Sequence, residues 1–127
     1  MRLLLDTHIV LWLASSPGKL PAGVIDALFD PRNTRYVSIA SSWEVAIKLD
    51  SGKLKLNGGL PKFYRYIDKN SFIETGVTRE YLNLLDTLED FHQDPFDRLL
   101  IATALAENFT IVTADENIHR YNVNWIW

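Results

Sequence analysis

Arg2-Leu3-Leu4-Leu5-Asp6 decides the fold. Three consecutive leucines with no polar alternation read as a short strand buried on both faces, and an acid stops the run. The stretch Phe109-Thr110-Ile111-Val112-Thr113-Ala114-Asp115 has the same form: a β-rich apolar run, a turn, an acid. Two runs of this kind, separated by segments with helical periodicity, are the mark of a parallel sheet with helices on both faces. In such a sheet every strand ends at one edge, every following helix starts there, and functional groups collect where the strand order reverses.

Working outward, residues 2–5 form the first strand, and a helix through about residue 14 carries Ile9, Leu11, Trp12 and Leu13. Ser15-Ser16-Pro17-Gly18 breaks it. Pro21 opens a second helix that Asp30-Pro31 ends, and Arg35 to Ile39 reads as a strand. Ser41 and Glu44 have capping-box spacing, which predicts a helix over about 42–51, closed by Gly52. Pro61 opens another, with Phe63, Tyr64, Tyr66 and Ile67 on its apolar side. Phe72 to Thr75 reads as a third strand. A helix follows Thr78, with Tyr81, Leu82, Leu84 and Leu85. Pro95 to about Asn108 is helical, Thr110 to Thr113 is the fourth strand, and Asn122 to Trp127 the fifth. The expectation is an α/β fold in one domain, residues 1–127, with about five parallel strands.

Composition narrows the function. No apolar run approaches the ~18 residues of a membrane span. Asp6 and the absence of a small-residue cleavage site argue against a signal peptide, so a cytoplasmic protein is expected. With no cysteine there is neither a disulfide framework nor a thiolate metal site. The net charge of −3 opposes a broadly basic nucleic-acid binder. The charge is uneven, however. Residues 40–70 hold six bases against three acids, whereas residues 71–97 hold seven acids against Arg79 alone. The first of these segments could meet phosphates, or could be an ordinary solvated surface.

Four acids fall at element boundaries on the same predicted edge: Asp6, Glu44, Asp97 and Asp115. Each has a modest explanation, since Asp6 and Asp115 suit helix N-caps, Glu44 suits a capping box with Ser41, and Asp97 complements a helix dipole. Four together, with no His or Cys at ligand spacing, suit a hard cation such as Mg²⁺ or Mn²⁺. The fitting chemistry is phosphodiester hydrolysis. His8, His92 and His119 read as surface residues, although the first two adjoin the acids and could touch substrate. Lys48 lies one helical turn from Glu44, either to receive a phosphate or simply as an i,i+4 partner.

Four segments carry a family resemblance: Leu4-Leu5-Asp6-Thr7-His8, Ser42-Trp43-Glu44-Val45-Ala46-Ile47-Lys48, Asp94-Pro95-Phe96-Asp97-Arg98-Leu99-Leu100-Ile101-Ala102 and Val112-Thr113-Ala114-Asp115. Their order and type resemble the PIN domain, and most closely the VapC-type toxins of prokaryotic toxin–antitoxin modules. Tyr121 to Trp127 resembles that family's closing strand. The resemblance implies a PIN-like αβα sandwich, a Mg²⁺- or Mn²⁺-dependent endoribonuclease acting on RNA, a homodimer, and neutralisation by a small cognate antitoxin. It carries the metal-binding and catalytic roles to Asp6, Glu44, Asp97 and Asp115, with Thr113 as a polar neighbour. Asp94 is a further member or the N-cap of its helix. A catalytically silent PIN-like binding module is the alternative. A Mg²⁺-binding signalling receiver fits less well, because the third strand runs into Glu74-Thr75-Gly76 rather than an Asp, and no Lys follows the fifth.

Overall fold

The computed structural model describes residues 1–127. Strands β1 (Arg2–Leu5), β2 (Thr34–Ser38), β3 (Ile73–Thr75), β4 (Thr110–Val112) and β5 (Asn124–Ile126) form one sheet in the order β3-β2-β1-β4-β5. Every pairing is parallel, with Leu4 opposite Tyr36 on one side and Ile111 on the other. From β1 the chain builds outward to β3, then crosses back to place β4 on the opposite flank. The order therefore reverses between β1 and β4, and the crevice at their carboxyl ends is where such sheets hold ligands.

Helices α1 (Thr7–Ser15), α2 (Ala22–Phe29), α3 (Ile39–Asp50), α4 (Gly59–Lys69), α5 (Arg79–Asp86), α6 (Pro95–Glu107) and α7 (Glu116–His119) complete the αβα sandwich. Side chains alternate across each strand. Leu3, Leu5, Val37 and Val112 face a core filled by Ile9, Val10, Leu13, Val24, Leu28, Val45, Phe63 and Ile67. Leu4 and Ile111 face the other core, with Leu100, Ile101, Ala104, Phe109, Ile118 and Tyr121. Leu3, Leu4 and Leu5 of β1 are fully buried on both faces of the sheet, which is why this run is apolar without alternation. No helix is long and apolar enough to cross a membrane.

Several boundaries differ from the sequence reading, for local reasons. Helix α3 starts at Ile39, directly from the strand, because Ser38 is its N-cap and accepts the Ala40 N–H at 3.1 Å. The Ser41–Glu44 capping box does not form. Ser41 is buried one turn inside the helix, where its hydroxyl accepts a 2.8 Å hydrogen bond from Thr7 of α1. Glu44 thus sits in the second turn rather than at the opening. Helix α4 begins at Gly59, before Pro61, from a cap at Gly58 whose φ of +90° suits glycine. On that helix Phe63 and Ile67 are buried, but Tyr64 points outward. Strand β3 is a short edge strand, so Glu74 is exposed beside the sheet.

Candidate functional site

Asp6 follows the last residue of β1. Its N–H donates to the Val112 carbonyl at 3.1 Å, carrying the β1–β4 pairing one residue past the strand. The residue is 5% exposed. One carboxylate oxygen accepts the Thr113 hydroxyl at 2.8 Å, and the other accepts the His8 N–H at 3.2 Å and faces His8 Nδ1 at 3.6 Å. Burial pushes this carboxyl up, but the hydrogen bonds from His8 and Thr113 outweigh it and hold Asp6 below the usual Asp value. Asp6 therefore stays ionised. Its hydrogen bond raises the partly exposed His8 imidazole in turn. Thr113 also accepts the Asp115 N–H at 3.0 Å, so one hydroxyl ties the ends of β1 and β4 together.

The long helix α6 brings two acids to this edge. Asp94 is its N-cap, accepting the N–H groups of Phe96 and Asp97 at 2.8 and 3.2 Å. Asp97, in the first turn, is shifted in the opposite direction to Asp6. Burial, together with the charges of Asp6, Asp94 and Glu44, raises its carboxyl to about 7. Asp115 caps α7 through one oxygen, which accepts the Asn117 N–H at 2.8 Å, and turns the other toward Asp97. Asp6, Asp97 and Asp115 line one cleft of about 300 Å³, with His8, Ile9, Trp12 and Ala114 as its remaining walls. No lysine or arginine is among them.

Glu44 stands apart from that cleft's walls. It is 4% exposed, one oxygen is held by Lys48 Nζ at 2.8 Å, and the other is buried with no hydrogen-bond partner. Burial lowers the Lys48 ammonium, but the Glu44 contact prevails and the net shift is upward. The i,i+4 pair is thus what the structure contains at Lys48, and its ammonium is engaged rather than free for a phosphate.

His92 departs most from the sequence reading. It is not a surface residue. Its ring is 10% exposed, with Nε2 2.7 Å from Asp115 and 3.0 Å from Asp97. The ligand-type atoms of His92, Asp97 and Asp115 lie within 4.8 Å of one another, so the acidic centre is not made of oxygen alone. The signal available in sequence was its position two residues before a helix cap, where Nδ1 accepts the Asp94 N–H at 3.1 Å. His119 is structural: Nε2 meets the Thr113 carbonyl at 2.9 Å and the ring stacks on Trp125.

The donors present fit a hard divalent cation. Buried carboxylates outnumber cations, one Glu44 oxygen has no partner, and Asp97 ionises reluctantly because negative charge is already in excess.

A family model described as PIN domain matches residues 3–124. Among solved structures the chain is similar to VapBC2 from Rickettsia felis bound to a DNA fragment from their promoter. Identity is 18%, the match covers 100% of this chain and 99% of that one, and the TM-score is 0.70. It is also similar to a toxin–antitoxin complex from Klebsiella pneumoniae, at 17% identity over 98% and 95% of the two chains and a TM-score of 0.66. VapBC-1 from nontypeable Haemophilus influenzae matches at 16% identity over 99% and 97%, with a TM-score of 0.67. At these identities the likeness is one of fold. No curated protein matches the chain.

Proposed function

Because the chain belongs to the PIN domain family, we propose that residues 1–127 act as one nuclease domain of the VapC type. In this reading it is a Mg²⁺- or Mn²⁺-dependent endoribonuclease that hydrolyses RNA phosphodiester bonds and is restrained by a cognate antitoxin. The observation that carries the reading is that Asp6, Asp97 and Asp115 line one cleft at the β1/β4 switch point with no lysine or arginine among its walls. Asp6, Asp97 and Asp115 would hold the ion, with Glu44 behind them. Bound there, a divalent cation supplies Lewis acidity toward a phosphoryl oxygen and an attacking water. The chain's own contribution is placement. Thr113 fixes Asp6, Asp94 seats the first turn of α6 under Asp97, and Lys48 offsets half of the Glu44 carboxylate. The test is cleavage of a labelled RNA pool with Mn²⁺ or Mg²⁺, with EDTA, and with Asp6→Asn. Loss of cleavage in the last two is expected; cleavage that survives both would overturn the reading.

In this reading RNA contact shifts from Lys48 to α4. With Lys48 engaged by Glu44, the free cations gather on α4, where Lys62, Arg65 and Lys69 line a cleft of about 570 Å³ with Tyr66 and form no ion pairs. This cleft lies toward the opposite edge of the sheet, since Arg35 near the start of β2 donates to the Asn70 carbonyl just past α4. Alanine at all three positions should raise KM, leave kcat intact and flatten the log–log salt dependence of binding by about 2, at ~0.7 per phosphate contact on a single strand. An unchanged slope would remove α4 from the RNA path.

Two protein partners complete the proposal. The acidic cleft is a receptor for an antitoxin Arg or Lys, and guanidinium matches carboxylates in bidentate fashion. Trp12 in its wall supplies apolar contact. The second partner is another copy of this chain. Ile39, Trp43, Val77, Leu82 and Phe96 line an almost wholly apolar groove of about 440 Å³, with Trp43 64% exposed. An apolar surface of this kind marks an interface. Trp43→Glu should convert a dimer to a monomer in sedimentation while leaving the circular dichroism spectrum unchanged. A wild-type monomer at micromolar concentration would refute the assignment.

A further inference from the structure

Between the two carboxylates that close the cleft sits a side chain with no role in the scheme above. His92 Nε2 is 2.7 Å from Asp115 Oδ2 and 3.0 Å from Asp97 Oδ2. Its Nδ1 accepts the Asp94 N–H at 3.1 Å. A ring nitrogen that accepts cannot also carry a proton, so the imidazole proton is on Nε2, where the hydrogen bond goes to Asp115 and Asp97 lies 3.0 Å away. The same bond opposes a ligand role. A protonated Nε2 has no lone pair for a metal, and moving the proton to Nδ1 would set it against the Asp94 N–H.

The backbone that carries the ring is also held. The N–H groups of Phe91 and His92 donate to the Tyr121 hydroxyl at 3.1 and 3.0 Å, and Arg98 donates to the His92 carbonyl at 3.2 Å. Four hydrogen bonds to one short segment, counting the one at Nδ1, make this a built contact rather than a side chain resting against its neighbours.

We propose that His92 is a positioning residue that takes the cation's place in the metal-free protein. Its Nε2–H bridges Asp97 and Asp115, keeps them at chelating separation, and must release at least one of them before both can face a divalent ion. The inference rests on the metal-dependent reading and adds to it a competitor for the metal site carried by the chain itself. Removing that competitor should tighten metal binding, whereas removing a ligand would weaken it.

The experiment is calorimetric titration of Mn²⁺ into the wild type, His92→Ala, His92→Gln and Asp97→Asn, with ¹⁵N NMR of the imidazoles during Mg²⁺ addition. His92→Ala should bind Mn²⁺ roughly tenfold more tightly, the effect of losing one charge-assisted hydrogen bond from the metal-free state. His92→Gln retains an N–H donor of similar reach and should return toward the wild-type affinity. In the wild type, Nε2 should keep its proton when Mg²⁺ is added. Weaker or unchanged binding by His92→Ala, or loss of the Nε2 proton, overturns the proposal. If the wild type binds Mn²⁺ and Asp97→Asn does not, such a result leaves the metal reading standing. If no variant binds, both fall. Should the alanine variant fail to fold, the glutamine variant and the wild-type spectra still decide.

Discussion

Asp97→Asn is expected to lower RNA turnover by roughly 10²–10³-fold and, in the absence of metal, to make the protein more stable above pH 7. The first effect follows from removing one carboxylate from the proposed metal set. Metal stabilisation of a phosphoryl transition state is worth several kcal/mol, and ~1.36 kcal/mol is a factor of ten. RNA binding should hold or strengthen, since a negative charge is lost. The second effect follows from burial and from the charges of Asp6, Asp94 and Glu44, which raise Asp97 to about 7. A carboxyl raised by folding holds a proton that the unfolded chain would release. Its contribution is complete below pH ~4 and is lost as the pH climbs through about 7. Asparagine does not titrate, so the variant should gain on the wild type across that window, by ~2–4 kcal/mol before relaxation reduces it. Urea unfolding in EDTA at pH 5 and pH 8 measures this. The same proton predicts that Mn²⁺ binding to the wild type releases H⁺ near neutral pH, seen as a heat that varies with buffer ionisation enthalpy. Equal stability of the two proteins at pH 8, with no buffer dependence, would mean that the carboxylates are not crowded.

Tyr121→Phe should destabilise the fold by ~2–3 kcal/mol and reduce turnover as well, although the ring stays and the residue lies outside the cleft. The Tyr121 hydroxyl accepts the N–H groups of Phe91 and His92 and donates to the Glu89 carbonyl at 2.6 Å. Phenylalanine preserves the edge-on packing against Phe91 but leaves two backbone donors without a partner, each costing ~1–3 kcal/mol when buried. Arg98 still donates to the Glu89 and His92 carbonyls, so the segment should loosen rather than unfold. The looseness reaches His92 and Asp94 directly. Chemical denaturation and kcat are the readouts. A shift below about 0.5 kcal/mol with full activity would show that the hydroxyl does not anchor the loop.

The parallel sheet was legible because burial on both faces leaves a plain mark. Leu3-Leu4-Leu5 and Ile111-Val112 have no polar alternation, and their positions in the sheet are those such runs demand. Asp6, Asp97 and Asp115 were readable as edge residues because strand ends and first helical turns are local features. The start of α3 was not. Ser38 and Ser41 are equally good caps by composition, and the choice falls to Ser38 because Thr7 of α1 claims Ser41, a contact 34 residues away in sequence. The place of His92 was hidden for a similar reason. It depends on Tyr121, 29 residues on, which fixes the loop before α6. The basic stretch 40–70 looked like one surface, but α3 and α4 divide it between opposite edges of the sheet.

The bond between Thr113 and Asp6 spans 107 positions of the chain, and this separation has a consequence for biosynthesis. The first 75 residues contain β1, β2 and β3 and could pair as half a sheet while still emerging from the ribosome. That half carries Asp6 and Glu44 but neither Asp97 nor Asp115. At ~5–20 residues per second, translation needs roughly 2–8 s to supply the forty residues from Gly76 to Asp115. Throughout that interval Asp6 has no Thr113 to orient it and β1 has no β4 beside it. On the proposed function, a nascent chain would be inert toward the ribosome and the message that are producing it, and activity would begin only when the late strand docks.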